Sequence, residues 1–221
     1  MIDDQPPRQT DNQEIGRVLR ASTAGYAVGC RVAQLSAPSF GCLVKAQPLG
    51  ADEAVYGLIY DIHIDDDPLV RRLVLAEEPR QAVIDDQREN RLLPIEMSVL
   101  TVGYRLNGDL YHGLPPRPPL NLDPVHLVED AAEVRAFTDK RAYLRLIIRA
   151  VAQQVPVDQL LVAHVRQTFR QRGDDRQWAM KTIEELIELL RSNYELLVPT
   201  LEAIDDAVPA LEVDSKANLP V

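Results

Sequence analysis

Short β-prone bursts fill the first half of the chain, and apolar residues recur at helical spacing over the second. From Glu14 to about Ile64, four such runs stand between glycine, serine and proline residues: EIGRVLRA, GYAVGCRVAQL, GCLVKAQPLG and AVYGLIYDIHI. Their lengths and spacing predict consecutive strands of a small antiparallel barrel or sandwich. In AVYGLIYDIHI a strand puts Val55, Gly57, Ile59, Asp61 and His63 on one face and Tyr56, Leu58, Tyr60, Ile62 and Ile64 on the other. The second set is wholly apolar or aromatic and is expected to face the core. Gly16, Gly41 and Gly57 are expected at bends or tight strand crossings, which closing a small barrel requires.

After DDDP the segment 68–91 is charged and mixed in period, which predicts a short helix and a loop inserted in the barrel. LLPIEMSVLTVGYRLNGDLYHG reads as a long strand and a hairpin. Its turn is placed at Asn107-Gly108, the dipeptide that most readily supplies two positive φ angles. GLPPRPPLNLDP has five prolines in twelve residues. That density excludes a central strand or a helix interior, so an extended segment leading off the barrel is expected. An exposed polyproline ligand is its alternative use. From Thr138, read as a helix cap, the pattern turns helical: KRAYLRLIIRAVAQQ, then VDQLLVAHVRQTFRQR ended by Gly173. The third helix is RQWAMKTIEELIELLRSNYELL, capped by Asp174 or Asp175. In it Ile183, Leu186, Ile187, Leu190, Tyr194 and Leu197 form the apolar stripe, and Pro199 kinks or ends it.

The expected fold class is therefore α+β, a small closed antiparallel β-barrel followed by a C-terminal segment of about three helices. The expected organisation is a disordered leader at 1–13, a β domain at 14–137, a helical domain at 138–206 and a flexible tail at 207–221.

Composition adds three bounds. Hydrophobic residues at 46% and charged ones at 26% are ordinary for a globular chain of 221 residues, long enough to bury a core without staples. A formal charge of −10 opposes indiscriminate binding to nucleic acid or anionic membrane. Cys30 and Cys42 are expected as reduced core thiols. The polar, acidic opening MIDDQPPRQTDNQE does not resemble a signal peptide, so a cytoplasmic location is the expectation.

The first half resembles the HAS-barrel, the small N-terminal β-barrel of HerA-type DNA-translocating ATPases and of the rotary ATP synthase α and β subunits. Carrying the resemblance are Ile15-Gly16-Arg17-Val18 followed by Ser22-Thr23, then Phe40-Gly41-Cys42-Leu43-Val44-Lys45-Ala46, then Val55-Tyr56-Gly57-Leu58-Ile59. Residues 95–104 are similar to the strand after the insertion, and the proline-rich run sits where such proteins leave the barrel. The chain departs from the family in lacking a G-x-x-x-x-G-K-[ST] phosphate loop and the length for an ATPase domain. The resemblance thus implies a barrel that makes ring contacts or receives a partner, and it implies no ATP hydrolysis.

Candidate chemistry is sparse. Asp61, His63 and Asp65 would project from one strand face about 7 Å apart, a donor set for a divalent ion. Ligands spaced i, i+2, i+4 on one strand diverge too far to close a shell unless another segment contributes, so a solvated acidic strand end is expected, with a metal-dependent enzyme built on Asp61 and His63 as the alternative. His112, His126 and His164 lack motif partners, and His164 is read as a boundary residue of its helix. No cofactor, metal or catalytic set is expected. A non-enzymatic adaptor or assembly subunit is the expected function, for which the resemblance implies a HerA-type ATPase or associated nuclease as partner, with self-association alongside. Its interface is sought on the hairpin (Tyr104, Asn107, Tyr111, His112), on the basic helices (Arg145, Arg149, Arg170) and on the acidic third helix (Glu184, Glu188). The alternative is nucleic-acid binding by Lys140, Arg141, Arg145, Arg149, Arg166, Arg170, Arg172 and Arg176. The acidic third helix, where a recognition helix would meet phosphates, argues against it.

Overall fold

A computed structural model describes residues 13–30, 38–48, 52–64, 71–72, 75, 81–82 and 95–208. Its strands are β1 (Glu14–Ala21), β2 (Gly25–Cys30), β3 (Leu43–Ala46), β4 (Ala54–Ile64), β5 (Ile95–Leu106), β6 (Asp109–Tyr111) and β7 (Pro124–Leu127). They follow the spatial order β2-β1-β7-β3-β4-β5, and β2 pairs back onto β5, so six antiparallel strands close into a barrel. The α+β expectation holds. The long strand β5 makes the closure possible: β4 runs along it, β2 takes the other edge at 95–100, and β6 takes that edge at 104–106. Between β5 and β6, Asn107 (φ 53) and Gly108 (φ 84) form the two-residue turn read from the sequence.

Side chains from all six strands fill the barrel, among them Ile15, Val28, Val44, Ile59, Val99 and Val125. The apolar face of β4 meets a core as expected at Tyr56, Leu58 and Tyr60, but that core lies outside the barrel, and the expectation is corrected at Ile62 and Ile64. Val55 and Ile59 point into the barrel, whereas Tyr56 and Leu58 point outward into a second core shared with the helices. Both faces of β4 are buried through Ile59, so alternation alone could not say which was inside. Tyr60 then stands unopposed between the pairs Ile59↔Val99 and Asp61↔Ser98. This bulge reverses the phase, and Ile62 packs on the barrel interior while Ile64 is exposed.

The three glycines sit at tight approaches. A Cβ on Gly16 would lie 2.3 Å from the Gly29 carbonyl oxygen, and one on Gly57 would lie 2.3 Å from Val99 Cγ1. Gly41 (φ +86) combines a left-handed backbone with contact to a helix, its Cβ position lying 2.6 Å from Ala163 Cβ.

The proline-rich run does not lead off the barrel. It returns the chain to it, and β7 becomes a central strand between β1 and β3. Only Pro124 of the prolines enters the strand. It does so at the first position, where a missing N–H costs no internal ladder bond.

Beyond β7 come α1 (Ala131–Thr138), α2 (Leu144–Arg149) continued by a 3₁₀ turn (Ala150–Gln153), α3 (Val157–Gln171), α4 (Arg176–Leu190) and α5 (Tyr194–Ala207). Thr138 closes a helix instead of opening one, its hydroxyl donating to the Val134 carbonyl at 2.7 Å. The start lies at Asp130, whose carboxylate caps the Glu133 N–H at 3.0 Å. Asp175 caps α4. The expected third helix breaks in two, because the Asn193 side chain caps a new helix at Leu196 N, and Pro199 lies inside α5 without ending it. Of the expected stripe, Leu186, Leu190 and Leu197 are buried, but Ile187 and Tyr194 are exposed. The helices close over the outer wall of β3, β4 and β5, burying Tyr56 and Leu58 against Phe137, Tyr143, Leu160 and Leu161. The leader up to residue 12, most of the 68–91 insertion and the tail from residue 209 lie outside the described residues, while Ala207, expected in the tail, ends α5. Among the described residues, no helix is long and apolar enough to cross a membrane.

Candidate functional site

Lys45 is the lone charge in an apolar strand. With Val44 and Ala46 turned into the barrel, it points outward beneath α1 and is only 5% exposed. A buried ammonium needs a partner, and Glu133, in the first turn of α1, supplies it. Lys45 Nζ donates to both Glu133 carboxylate oxygens at 2.7 and 2.8 Å. The Tyr56 hydroxyl donates to Glu133 Oε1 at 2.7 Å. Arg105 Nη1 donates to the Tyr56 oxygen at 3.3 Å and lies 3.8 Å from Glu133 Oε1. Arg105 Nε faces Asp52 Oδ1 at 3.4 Å, an ion pair without hydrogen-bond geometry. Burial first, and then the Glu133 charge, push the Tyr56 phenol well above its ordinary range, so it acts as a donor. The cluster locks α1 to β3, β4 and β5 and fixes the position of Arg105.

Arg105 also walls a groove of about 470 Å³, within the range of roughly 300–1,000 Å³ typical of ligand sites. One side is Ala54, Val55 and Glu53 at the start of β4, with Tyr104, Arg105 and Leu106 of β5. The other is the proline-rich run, residues 115–120. Tyr104 is held by stacking on Tyr111 across the hairpin, with ring centroids 5.0 Å apart. Arg117 ties the prolines to β4 through Glu53 at 3.2 Å, and Asp123 anchors their far end by accepting from Leu120 N at 2.8 Å. Leu114, Leu120 and Leu122 stand exposed on this run, Leu120 lining the groove itself. The arrangement suits an apolar peptide segment held between a rigid proline wall and an aromatic hairpin.

The residues singled out from sequence fall into separate places. Tyr104 lines the groove, Tyr111 supports it, and Asn107 is exposed at the hairpin tip. His112 turns inward instead: its Nε2 bonds the Phe137 carbonyl at 2.9 Å and its ring packs edge-on against Phe137 and Tyr143. Arg145 lies 3.6 Å from Glu185, so basic and acidic helices compensate each other there, and Glu188 pairs with Arg191 at 2.9 Å. Arg149, Arg170 and Glu184 are exposed. Arg172 is buried, pairing with Asp139 and Asp175 and lying 5.3 Å over the Trp178 ring, where it pins the end of α1 to the start of α4.

His164 is fully buried rather than at a boundary. It sits 2.9 Å from the Tyr143 hydroxyl and 3.4 Å from the Gly41 carbonyl, and burial lowers its pKa to about 4. Cys30 and Cys42 are free thiols, half-buried and buried respectively. Asp61 and His63 are exposed at the end of β4, and Asp65 lies outside the described residues. No group of three or more metal-ligating side chains occurs among the described residues. Sequence reasoning missed Lys45, Tyr56, Arg105 and Glu133. Two signals pointed to them: a lysine amid apolar strand residues, and the Asp130-x-x-Glu133 spacing of a helix start.

Compared with known protein families the chain matches none, and no curated protein matches it.

Proposed function

We propose that the chain is a non-enzymatic adaptor that binds a protein partner, and that the groove between the β5–β6 hairpin and the proline-rich run receives a segment of that partner. The observation that carries this reading is the groove itself. It is open, largely apolar, of ligand-site volume, and walled by a proline run tied down by internal bonds and by Tyr104, which stacks on Tyr111 behind it. Walls fixed in advance lower the entropy cost of binding. Tyrosine is enriched at protein interfaces, and aromatic-lined grooves receive extended peptides. The barrel beneath is filled by its own side chains and serves as a scaffold.

The HAS-barrel resemblance supplies the expected class of partner, a HerA-type ATPase or associated nuclease. Because one fold serves many functions, that identification rests on the resemblance alone.

The test is capture from nuclease-treated native lysate, comparing wild type with Leu114→Glu/Leu120→Glu. Both changed side chains are exposed, so melting temperature should not move. A protein recovered in stoichiometric amount by wild type and lost with the double variant supports the reading. Identical recoveries would remove the groove from the account, and recovery of only nuclease-sensitive material would favour the exposed arginines of α2 and α3 as a nucleic-acid surface.

A further inference from the structure

The outer faces of α4 and α5 each expose apolar side chains. Met180 and Ile187, seven residues apart on one line of α4, are 42% and 43% exposed; Tyr194 and Val198, four apart on one line of α5, are 70% and 47% exposed. The turn at 191–193 joins the two helices directly, so Ile187 in the last turn of α4 and Tyr194 in the first turn of α5 belong to one end of the pair. Spacings of four and seven are those by which one helix presents a continuous line to another.

Acidic side chains flank that line. Glu184 and Glu188 on α4, and Glu195, Glu202 and Asp205 on α5, are all exposed. Between positions 176 and 207 there are seven acidic residues and three basic ones, and Arg191 is occupied by Glu188.

We propose that this face docks a basic amphipathic helix of a partner protein. Its apolar side would lie along Met180, Ile187, Tyr194 and Val198, and its lysines or arginines would meet Glu184, Glu195 and Glu202. Local charge complementarity selects a basic occupant. The formal charge of −10 steers such a helix inward at long range and repels a second copy of this chain. The groove and this face use different elements, so the proposal stands apart from the function proposed above.

The probe is a fluorescently labelled synthetic helix of about five turns, with leucines at helical spacing and lysines elsewhere. A control peptide carries glutamate for lysine. Anisotropy titration of the whole protein is expected to show binding of the lysine peptide alone. The double variant Ile187→Gln/Tyr194→Ser, changed only at exposed positions, is expected to bind about tenfold or more weakly, while Leu114→Glu/Leu120→Glu binds as wild type does. Equal affinity for Ile187→Gln/Tyr194→Ser would reduce the effect to general charge attraction and overturn the proposal, as would no binding of the lysine peptide. A dimer of the wild type that dissociates in this double variant would assign the face to a second copy instead, also against the proposal.

Discussion

A lysine with only 5% of its surface exposed keeps a charge inside this protein beside a carboxylate that two further neighbours, Tyr56 and Arg105, hold in place. Glu133 accepts from Lys45 and Tyr56 and lies beside Arg105, so the two ends of the ion pair are not equivalent. Changing Glu133 to Gln orphans the Lys45 ammonium. Changing Lys45 to Met removes that charge and leaves the carboxylate with Tyr56 and Arg105. Breaking a buried pair from one side costs about 3–5 kcal/mol. Glu133→Gln is therefore expected in that range and Lys45→Met well below it, measured by urea denaturation at neutral pH. Equal losses would mean that the pair is not the main source of the cost. The sequence held both residues in view but not their meeting. They are 88 positions apart, and which strand and which helix adjoin is decided by barrel closure through β7. That strand hid behind the prolines, since proline density was counted over the whole run although only Pro124 enters the ladder.

At the scale of elements, α3 is seated on the barrel through a polar joint and a close approach, beside the Lys45–Glu133 cluster that holds α1. The joint is His164 of α3, bonded to Tyr143 ahead of α2 and facing the carbonyl of Gly41 ahead of β3. The close approach is that of Gly41 to Ala163. Buried among aromatic and aliphatic side chains, the His164 imidazole stays neutral down to about pH 4, whereas in the unfolded chain it takes up a proton near pH 6.5. Unfolding therefore binds a proton between those values. The stabilising contribution is complete above pH 6.5 and is lost as pH falls toward 4. Burial lowers His112 and His126 in the same direction. Glu96 and Asp175, held below their usual values by Arg20 and by the Trp178 N–H respectively, lose their contribution mainly below pH 5, and equally in wild type and a His164 variant. Between pH 7 and pH 5 the wild type is expected to lose about 2 kcal/mol more stability than His164→Gln, read from urea midpoints. Parallel pH profiles would contradict the assignment. The element pattern was legible where chemistry was local: the Asn107-Gly108 turn, the Asp175 cap and most strands. It was not legible where burial came from the far side, as in β4, whose outward face the helices cover, or where Asn193 restarts a helix within an unbroken apolar stripe.

Across the whole molecule, the described residues form a filled barrel with a helical layer fixed to one wall, and both proposed interaction sites lie on its surface. The groove beside the hairpin lies among the barrel strands, and the acidic-flanked line of α4 and α5 lies on the helices. An adaptor needs such separate faces, whereas a nucleic-acid binder would depend on Arg149, Arg166 and Arg170. The most direct measurement places a photo-activated cross-linking amino acid at Leu120 in the groove and, in a second protein, at Arg170. Both are expressed in the native cell, irradiated and treated with nuclease. The expected result is one discrete protein adduct at position 120, lost when Tyr104→Ala is added, and no discrete adduct at position 170. Nuclease-sensitive adducts at 170 with none at 120 would contradict the adaptor reading and give the molecule to nucleic acid.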